Sequence, residues 1–167
     1  MNALRHHAEQ LLLAKAVKQD RLGWPLGNCL EACYATLLGV PLDAVPDPRD
    51  EATSRLDAER RIRARGIALQ EWLHHTFTLC AVSGKGEKPP GVIIGVQDVP
   101  LFWIASGLSE RGLQHATVYS NTQLIWDPHP SDAGLLNVTR WTVLAPIGPL
   151  WHRIKPLETE STPCTPS

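Results

Sequence analysis

The chain has 167 residues, 43% of them hydrophobic, with 16 lysines and arginines set against 17 aspartates and glutamates. A chain of this length can bury a sizeable core as one domain, without disulfide or metal staples. The net charge of -1 would not steer a nucleic acid or an anionic membrane surface, and no apolar stretch is long enough to span a bilayer, so we expect neither partner.

The cysteines are few and irregularly spaced, at positions 29, 33, 80 and 164. This is not the pattern of a secreted disulfide scaffold, and the first 19 residues lack the apolar run of a signal peptide. We therefore expect a cytoplasmic protein with free thiols. We predict one domain over residues 1–155 and a disordered tail over residues 156–167, which is rich in Pro, Ser and Thr.

The first half of the chain predicts helices. Apolar spacing predicts an amphipathic helix from Ala3 to about Lys18, and a loop rich in Gly and Pro follows it. A second helix should begin at Cys29, with Asn28 as its N-cap, and end at Gly39.

A third, charged helix is predicted over residues 50–65, ended by Gly66. Residues 67–77 either continue that helix or form another short one. The arginine-rich run over residues 60–65 is interpreted as a solvated helix face, because acidic residues lie nearby in the sequence.

The second half of the chain predicts strands. Short runs of β-branched and aromatic residues are separated there by turn residues. The runs are FTLCAV, GVIIGV, LFWIASG, QHATVYS, QLIWDPH and TRWTVLAP. This order indicates an α+β domain, in which N-terminal helices, including the one that begins at Cys29, pack against a C-terminal antiparallel sheet.

Two cysteines lie one turn apart in the second predicted helix. Cys29 occupies the helix N-terminus, where the macrodipole and the free backbone N–H groups favour an anion, so this position favours a reactive thiolate. Cys33 lies on an apolar face, where a cysteine acts as a small packing residue. The C-x3-C spacing and the lack of a second cysteine pair disfavour a zinc site on these two residues.

The segment QHATVYSNTQLIWDPHP predicts a hairpin. If Ser120, Asn121 and Thr122 form a three-residue loop, His115 lies directly opposite Asp127 on the neighbouring strand. Opposed residues share a face of the sheet with their Cβ atoms about 5 Å apart, so this carboxylate can orient the imidazole. A register slip of one residue would place the two on opposite faces.

A nucleophilic thiol needs a base beside it and a group that orients the base, and Cys29, His115 and Asp127 supply these in chain order. The segments GNCLEACYATLLGV, HATVY and IWDPHP resemble, in this order, the papain-like cysteine peptidase superfamily. The small NlpC/P60 and bacteriocin-leader peptidases are nearest in size, and the pattern also resembles small uncharacterised phage and bacterial proteins of the superfamily. The resemblance covers about residues 19–145.

This resemblance implies a cysteine hydrolase that acts on a peptide, isopeptide or amide bond of a peptide or protein substrate, with no cofactor and no metal. Cys29 would attack the carbonyl, His115 would transfer the proton, and Asp127 would orient His115. The fold it implies places the cysteine at the start of a helix and the His and Asp on adjacent strands of an antiparallel sheet.

The residues that would bind the oxyanion and the substrate carry weaker signals. The superfamily usually places a Gln shortly before the Cys as an oxyanion donor, whereas position 23 is Gly here, so we expect Gln19 or Asn28 to assist the backbone N–H of the cysteine. Trp24, in the loop before the cysteine, is a candidate wall of the cleft. Arg111 is a candidate for binding a carboxylate or phosphate, and His129 should point to the same side as Asp127.

Three alternatives stay open at this point. The thioester could pass its acyl group to an amine, as in a transglutaminase-like transferase. The fold could serve as a catalytically inactive binding module that captures a host partner, which the atypical oxyanion region favours. Finally, Cys29, His115, Asp127 and His129 could together bind a metal.

Overall fold

The computed structural model describes residues 3–22, 27–47, 58–89 and 102–147. Within these ranges the chain forms three α-helices and a five-stranded antiparallel sheet, so the α+β prediction is confirmed. The helices are α1 (Ala3–Leu13), α2 (Cys29–Leu38) and α3 (Ala58–Phe77), with a short 3-10 helix at Leu42–Ala44. The strands are β1 (Leu79–Lys85), β2 (Phe102–Leu108), β3 (Gln114–Ser120), β4 (Gln123–Trp126) and β5 (Arg140–Pro146). The predicted strand GVIIGV, Trp24 and the predicted tail lie outside the described residues.

Helix α2 has the bounds that the sequence predicts. Gly39 adopts a left-handed conformation (φ 66°), and its N–H bonds to the carbonyls of Ala35 and Thr36, which ends the helix. The six residues 31–36 are all buried, because α2 packs against β3 on one side and the 3-10 helix on another. The helix that begins at Cys29 is therefore held firmly in the core.

The sequence predicted that helix α1 would end near Lys18, but the helix ends at Leu13. Beyond its end the backbone N–H of Val17 donates to Thr36 Oγ1 at 2.9 Å, so a side chain of α2 replaces the Leu13 carbonyl, which would accept this N–H in a longer helix. The chain then continues outside the helix, alongside α2. This departure brings Lys18 toward the loop that follows β4.

Helix α3 runs through Gly66, which was predicted to end it. A glycine in a helix interior costs up to about 1 kcal/mol relative to alanine. Tertiary packing offsets this cost, because Leu69 and Leu73 are buried against the rest of the core. No helix in the described ranges, α3 included, combines the length and the apolar character needed to cross a membrane.

The sheet has the strand order β1-β5-β2-β3-β4 and carries apolar side chains on both faces. Alternation along β2 illustrates this, because Ile104 packs with the helices whereas Trp103 and Ala105 belong to a second cluster. The core between the helices and the sheet contains Cys33, Tyr34, Leu69, Leu73, Ile104 and Val118. The second cluster contains Trp103, Ala105, Trp141 and Val143.

Candidate active site

Cys29 is the first residue of α2. Its backbone N–H is therefore one of the first-turn donors that have no acceptor inside the helix, and the helix dipole creates positive potential at this end. Asn28 occupies the N-cap position, but its side chain makes no cap hydrogen bond. Instead its Oδ1 accepts the Arg21 N–H at 3.1 Å, and its Nδ2 donates to Asp20 at 2.7 Å. The buried Asn28 thus fixes the preceding loop and leaves the helix end open.

His115 and Asp127 meet through a register that differs from the predicted one. A two-residue turn, Asn121–Thr122, joins β3 to β4, so the predicted three-residue loop is wrong. Asn121 adopts a positive φ of 55°, which asparagine tolerates and which suits a tight turn. That register alone would place Asp127 on the face opposite His115. A β-bulge, beyond which Val118 pairs with Trp126, restores the shared face.

The His115–Asp127 pair is short and buried. His115 Nε2 lies 2.7 Å from Asp127 Oδ1. The carboxylate also accepts the backbone N–H of His129 on Oδ1 and that of Gly134 on Oδ2, each at 2.8 Å. Burial favours the neutral acid, but the hydrogen bonds from His115, His129 and Gly134 outweigh it and lower the pKa of Asp127 below its usual value of 3.8. Asp127 is therefore an oriented anion.

The His115 ring connects Asp127 to Cys29. Because Nε2 faces Asp127, Nδ1 is the nitrogen left for the Cys29 side chain, with which the ring also hydrogen-bonds. Burial disfavours a charged ring, yet the hydrogen bonds to Asp127 and Cys29 and their negative charges raise the pKa of His115 from 6.5 to about 9. The geometry thus stabilises an imidazolium between the Asp127 carboxylate and the Cys29 sulfur.

Cys33 has the packing position that the sequence predicts. Its side chain is fully buried in the core between the helices and the sheet. Burial first, and then the negative charges of Cys29, Asp127 and Glu31, raise the pKa of the Cys33 thiol well above its usual value. A thiol in this environment stays protonated and unreactive.

Lys18 fixes the loop that contains Asp127, a role that the sequence did not reveal. Its Nζ donates to the backbone carbonyls of Asp127 at 2.9 Å and of His129 at 3.1 Å, and it forms an ion pair with Asp132. The same ammonium lies 4.2 Å from the ring centroid of Trp126. One cation therefore ties the end of β4 and the following loop into a single position.

Of the two predicted oxyanion donors, Gln19 is the one that the structure places at the cavity beside Cys29. Its backbone N–H donates to Pro128 O at 3.0 Å, and its side-chain Nε2 donates to Arg21 O at 2.9 Å. An amide nitrogen carries two hydrogens, and the bond to Arg21 O uses one of them. The side chain of Asn28 instead bonds to the loop at residues 20–21, which makes Gln19 the better candidate.

A cavity of about 320 Å³ lies beside the sulfur. Its described lining includes Gln19, Cys29, Arg65, Arg111, His115 and His129, so the structure brings both Arg111 and His129 to the predicted cleft. The rings of His115 and His129 are perpendicular, with centroids 6.0 Å apart. A cavity of this volume accommodates a small molecule or a short peptide segment.

Arg65 lines the cavity and is a second residue that sequence analysis missed, since its arginine run was interpreted as a solvated face. Its Nε and Nη2 form a bidentate ion pair with Glu31, whose side chain is 1% exposed. This pair links α3 to α2 two residues after Cys29. Such a contact between distant segments leaves no local signature in the sequence.

No group of three or more His, Cys, Asp and Glu side chains in the described part of the chain has an arrangement that would hold a metal ion. Asp127 instead accepts hydrogen bonds from His115 and from the backbone N–H groups of His129 and Gly134, an arrangement that suits proton transfer through His115.

Comparison with known proteins places the chain in no family. No protein-family model matches it, nor does any curated protein or any solved structure. The papain-like resemblance therefore stays a prediction that depends on the residues of the site.

Proposed function

We propose that the protein is a papain-like cysteine hydrolase that cleaves a peptide, isopeptide or amide bond. The observation that carries this proposal is the His115 ring, which is hydrogen-bonded to Asp127 on one side and to Cys29 on the other. The thiol lies at the N-terminus of a helix that packs on an antiparallel sheet, where an anion is favoured. The adjacent cavity gives a short substrate segment access to the sulfur.

In the acylation half of the reaction, His115 Nδ1 holds the proton that it shares with the Cys29 sulfur, and the sulfur attacks the substrate carbonyl carbon as a thiolate. The new C–S bond moves the carbonyl electron pair onto oxygen. The Cys29 backbone N–H and the Gln19 side-chain amide would donate to this oxyanion. Collapse of the intermediate breaks the C–N bond, and His115 gives its proton to the leaving amine. A thioester remains on Cys29.

In the deacylation half, His115 removes a proton from water, and the resulting hydroxide attacks the thioester carbonyl. Collapse breaks the C–S bond and releases the acid. The proton stays on His115 Nδ1 beside the released sulfur, which restores the starting state. Asp127 keeps the ring in one orientation throughout and stabilises its charged form.

An activated ester tests this chemistry without knowledge of the natural substrate. We expect p-nitrophenyl acetate to acetylate Cys29 in a burst and to turn over afterwards, measured by p-nitrophenolate release and by intact mass. Cys29→Ala should abolish both phases, whereas Cys80→Ala, which removes a buried thiol, should leave them in place. Acetylation no faster than that of a free thiol would contradict the proposal and favour a binding module.

A further inference from the structure

Among the described residues, the lining of the cavity beside Cys29 includes cationic side chains and no acidic ones. Arg65 and Arg111 are both part of its described lining, and that described lining includes no Asp or Glu. Two leucines, Leu22 and Leu113, contribute apolar surface at the same cavity and are themselves partly exposed. The combination suits a ligand with an aliphatic stem and an anionic end.

Most basic side chains of the described cavity lining are either paired with a negative group or favoured in their neutral form. The guanidinium of Arg65 is paired with the buried carboxylate of Glu31. His115 lies between the negative groups of the proposed triad. His129 accepts the Ser131 backbone N–H on Nδ1 at 3.0 Å, and burial together with the charge of Arg111 lowers the pKa of His129 below its usual value of 6.5, which favours the neutral ring.

Arg111 is the cation that remains in the described part of the lining. Its side chain is exposed, and within the described residues it makes one hydrogen bond, to Ser131 Oγ at 3.4 Å, and no ion pair. Ser131 Oγ in turn lies 2.8 Å from His129 Nδ1, and the His129 ring packs edge-on to His115. Arg111 therefore lines the same cavity as the base and is linked to it through Ser131 and His129.

We propose that Arg111 binds a carboxylate that the substrate carries next to the scissile bond, so that the enzyme selects acidic peptides or amides. This inference rests on the proposed hydrolase function. One uncompensated guanidinium matches a singly charged carboxylate, which it can bind through two parallel N–H groups. A doubly charged phosphate would need a second free cation. The carboxylate is either a side chain or a free chain terminus.

Chloroacetyl probes test this selection directly, because the Cys29 thiolate displaces chloride, so one C–S bond forms as the C–Cl bond breaks. Chloroacetyl-glutamic acid α-amide and chloroacetyl-glutamine α-amide differ only in the side-chain charge. Chloroacetyl-glycine and chloroacetyl-glycinamide provide the same comparison for a terminal carboxylate. The measured quantity is the ratio of the second-order rate constants of the acidic and the neutral probe at Cys29.

For one of the two probe pairs, we expect the acidic-to-neutral ratio of rate constants at Cys29 to be roughly fivefold higher than the same ratio measured with β-mercaptoethanol, a neutral reference thiol, at low salt. Arg111→Gln should return the ratio to the reference value. Arg63→Gln, which removes the same charge from an exposed position on α3 that is not in the cavity lining, should keep the wild-type ratio.

Reactive Cys29 with the same ratio in wild type and Arg111→Gln would overturn the inference and leave the proposed hydrolase intact. An equal fall in Arg63→Gln would also overturn it, since net charge would then explain the preference. Failure of Cys29 to react with all four probes would overturn the proposed function, and the inference with it. The pair of probes that shows the preference identifies the side chain or the terminus as the source of the carboxylate.

Discussion

Asp127 accepts the Nε2 hydrogen of His115 at 2.7 Å, with both side chains almost fully buried. Because the other ring nitrogen faces Cys29, the folded protein holds a proton on His115 more tightly than the unfolded chain does, and the pKa of His115 rises to about 9. The stability that this protonated ring contributes is fully present below the unfolded pKa of about 6.5.

The first prediction concerns the pH dependence of folding. In a Cys29→Ala background, where no thiol proton titrates alongside the ring, the free energy of unfolding should fall as the pH rises from about 6.5 toward about 9, by roughly 1–2 kcal/mol once screening at the open cavity and the loss of the Cys29 contribution are taken into account. Urea unfolding across this range measures it. His115→Gln keeps a polar side chain that does not titrate, so its curve should be flatter by that amount. Parallel curves for the two proteins would contradict the His115 assignment.

The second prediction separates the oxyanion donor from the nucleophile. Gln19→Leu removes the side-chain amide at the cavity, so acetylation by p-nitrophenyl acetate should slow roughly 100-fold. Alkylation by iodoacetamide forms no oxyanion and should slow far less. Equal slowing of both reactions would mean that Gln19 supports the shape of the site rather than the oxyanion.

The third prediction concerns Lys18, which ties the loop that contains Asp127. Lys18→Met keeps most of the aliphatic stem but removes two hydrogen bonds to carbonyls and an ion pair. We expect a loss of about 1–2 kcal/mol in the free energy of unfolding and slower alkylation of Cys29, because Asp127 is less well fixed. Lys88→Met, at an exposed position, is the matched control. Identical behaviour of the two variants would count against the role of Lys18.

The fourth prediction compares two glycines with opposite surroundings. Gly107 pairs with His115 in the sheet, and a Cβ there would lie 1.8 Å from the Asn137 carbonyl oxygen. Gly107→Ala should therefore destabilise the protein by about 3 kcal/mol. Gly66→Ala, where a Cβ meets nothing within 4 Å, should stabilise it by about 0.5–1 kcal/mol. Urea unfolding of both variants checks the signs, and a stable Gly107→Ala would contradict the close backbone approach.

Local signals were sufficient to predict much of the fold. The bounds of α2 follow from Cys29 as a helix start and Gly39 as a left-handed stop, both of which act within a few residues. The order of helices before strands likewise predicted the α+β class. The prediction that Gly66 ends α3 was wrong, because burial of leucines farther along the helix outweighs the conformational cost of a glycine in the helix interior.

The parts of the site that the sequence did not predict depend on contacts between residues far apart in the chain. The sequence predicted that His115 and Asp127 share a face, but through a loop of the wrong length, and the bulge that compensates depends on packing around the whole strand pair. Lys18 contacts the backbone of Asp127 across 109 positions, and Arg65 contacts Glu31 across 34. No periodicity or capping pattern in one sequence encodes such pairs.

The central claim is that His115 activates Cys29, and alkylation of the individual cysteines tests it most directly. Peptide mass spectrometry after timed exposure to iodoacetamide at neutral pH gives a rate constant for each thiol. We predict that Cys29 reacts at least roughly tenfold faster than the buried Cys33 and Cys80, and that His115→Ala slows Cys29 by roughly tenfold. Equally slow reaction of all three thiols, or a Cys29 rate that His115→Ala leaves unchanged, would contradict the account.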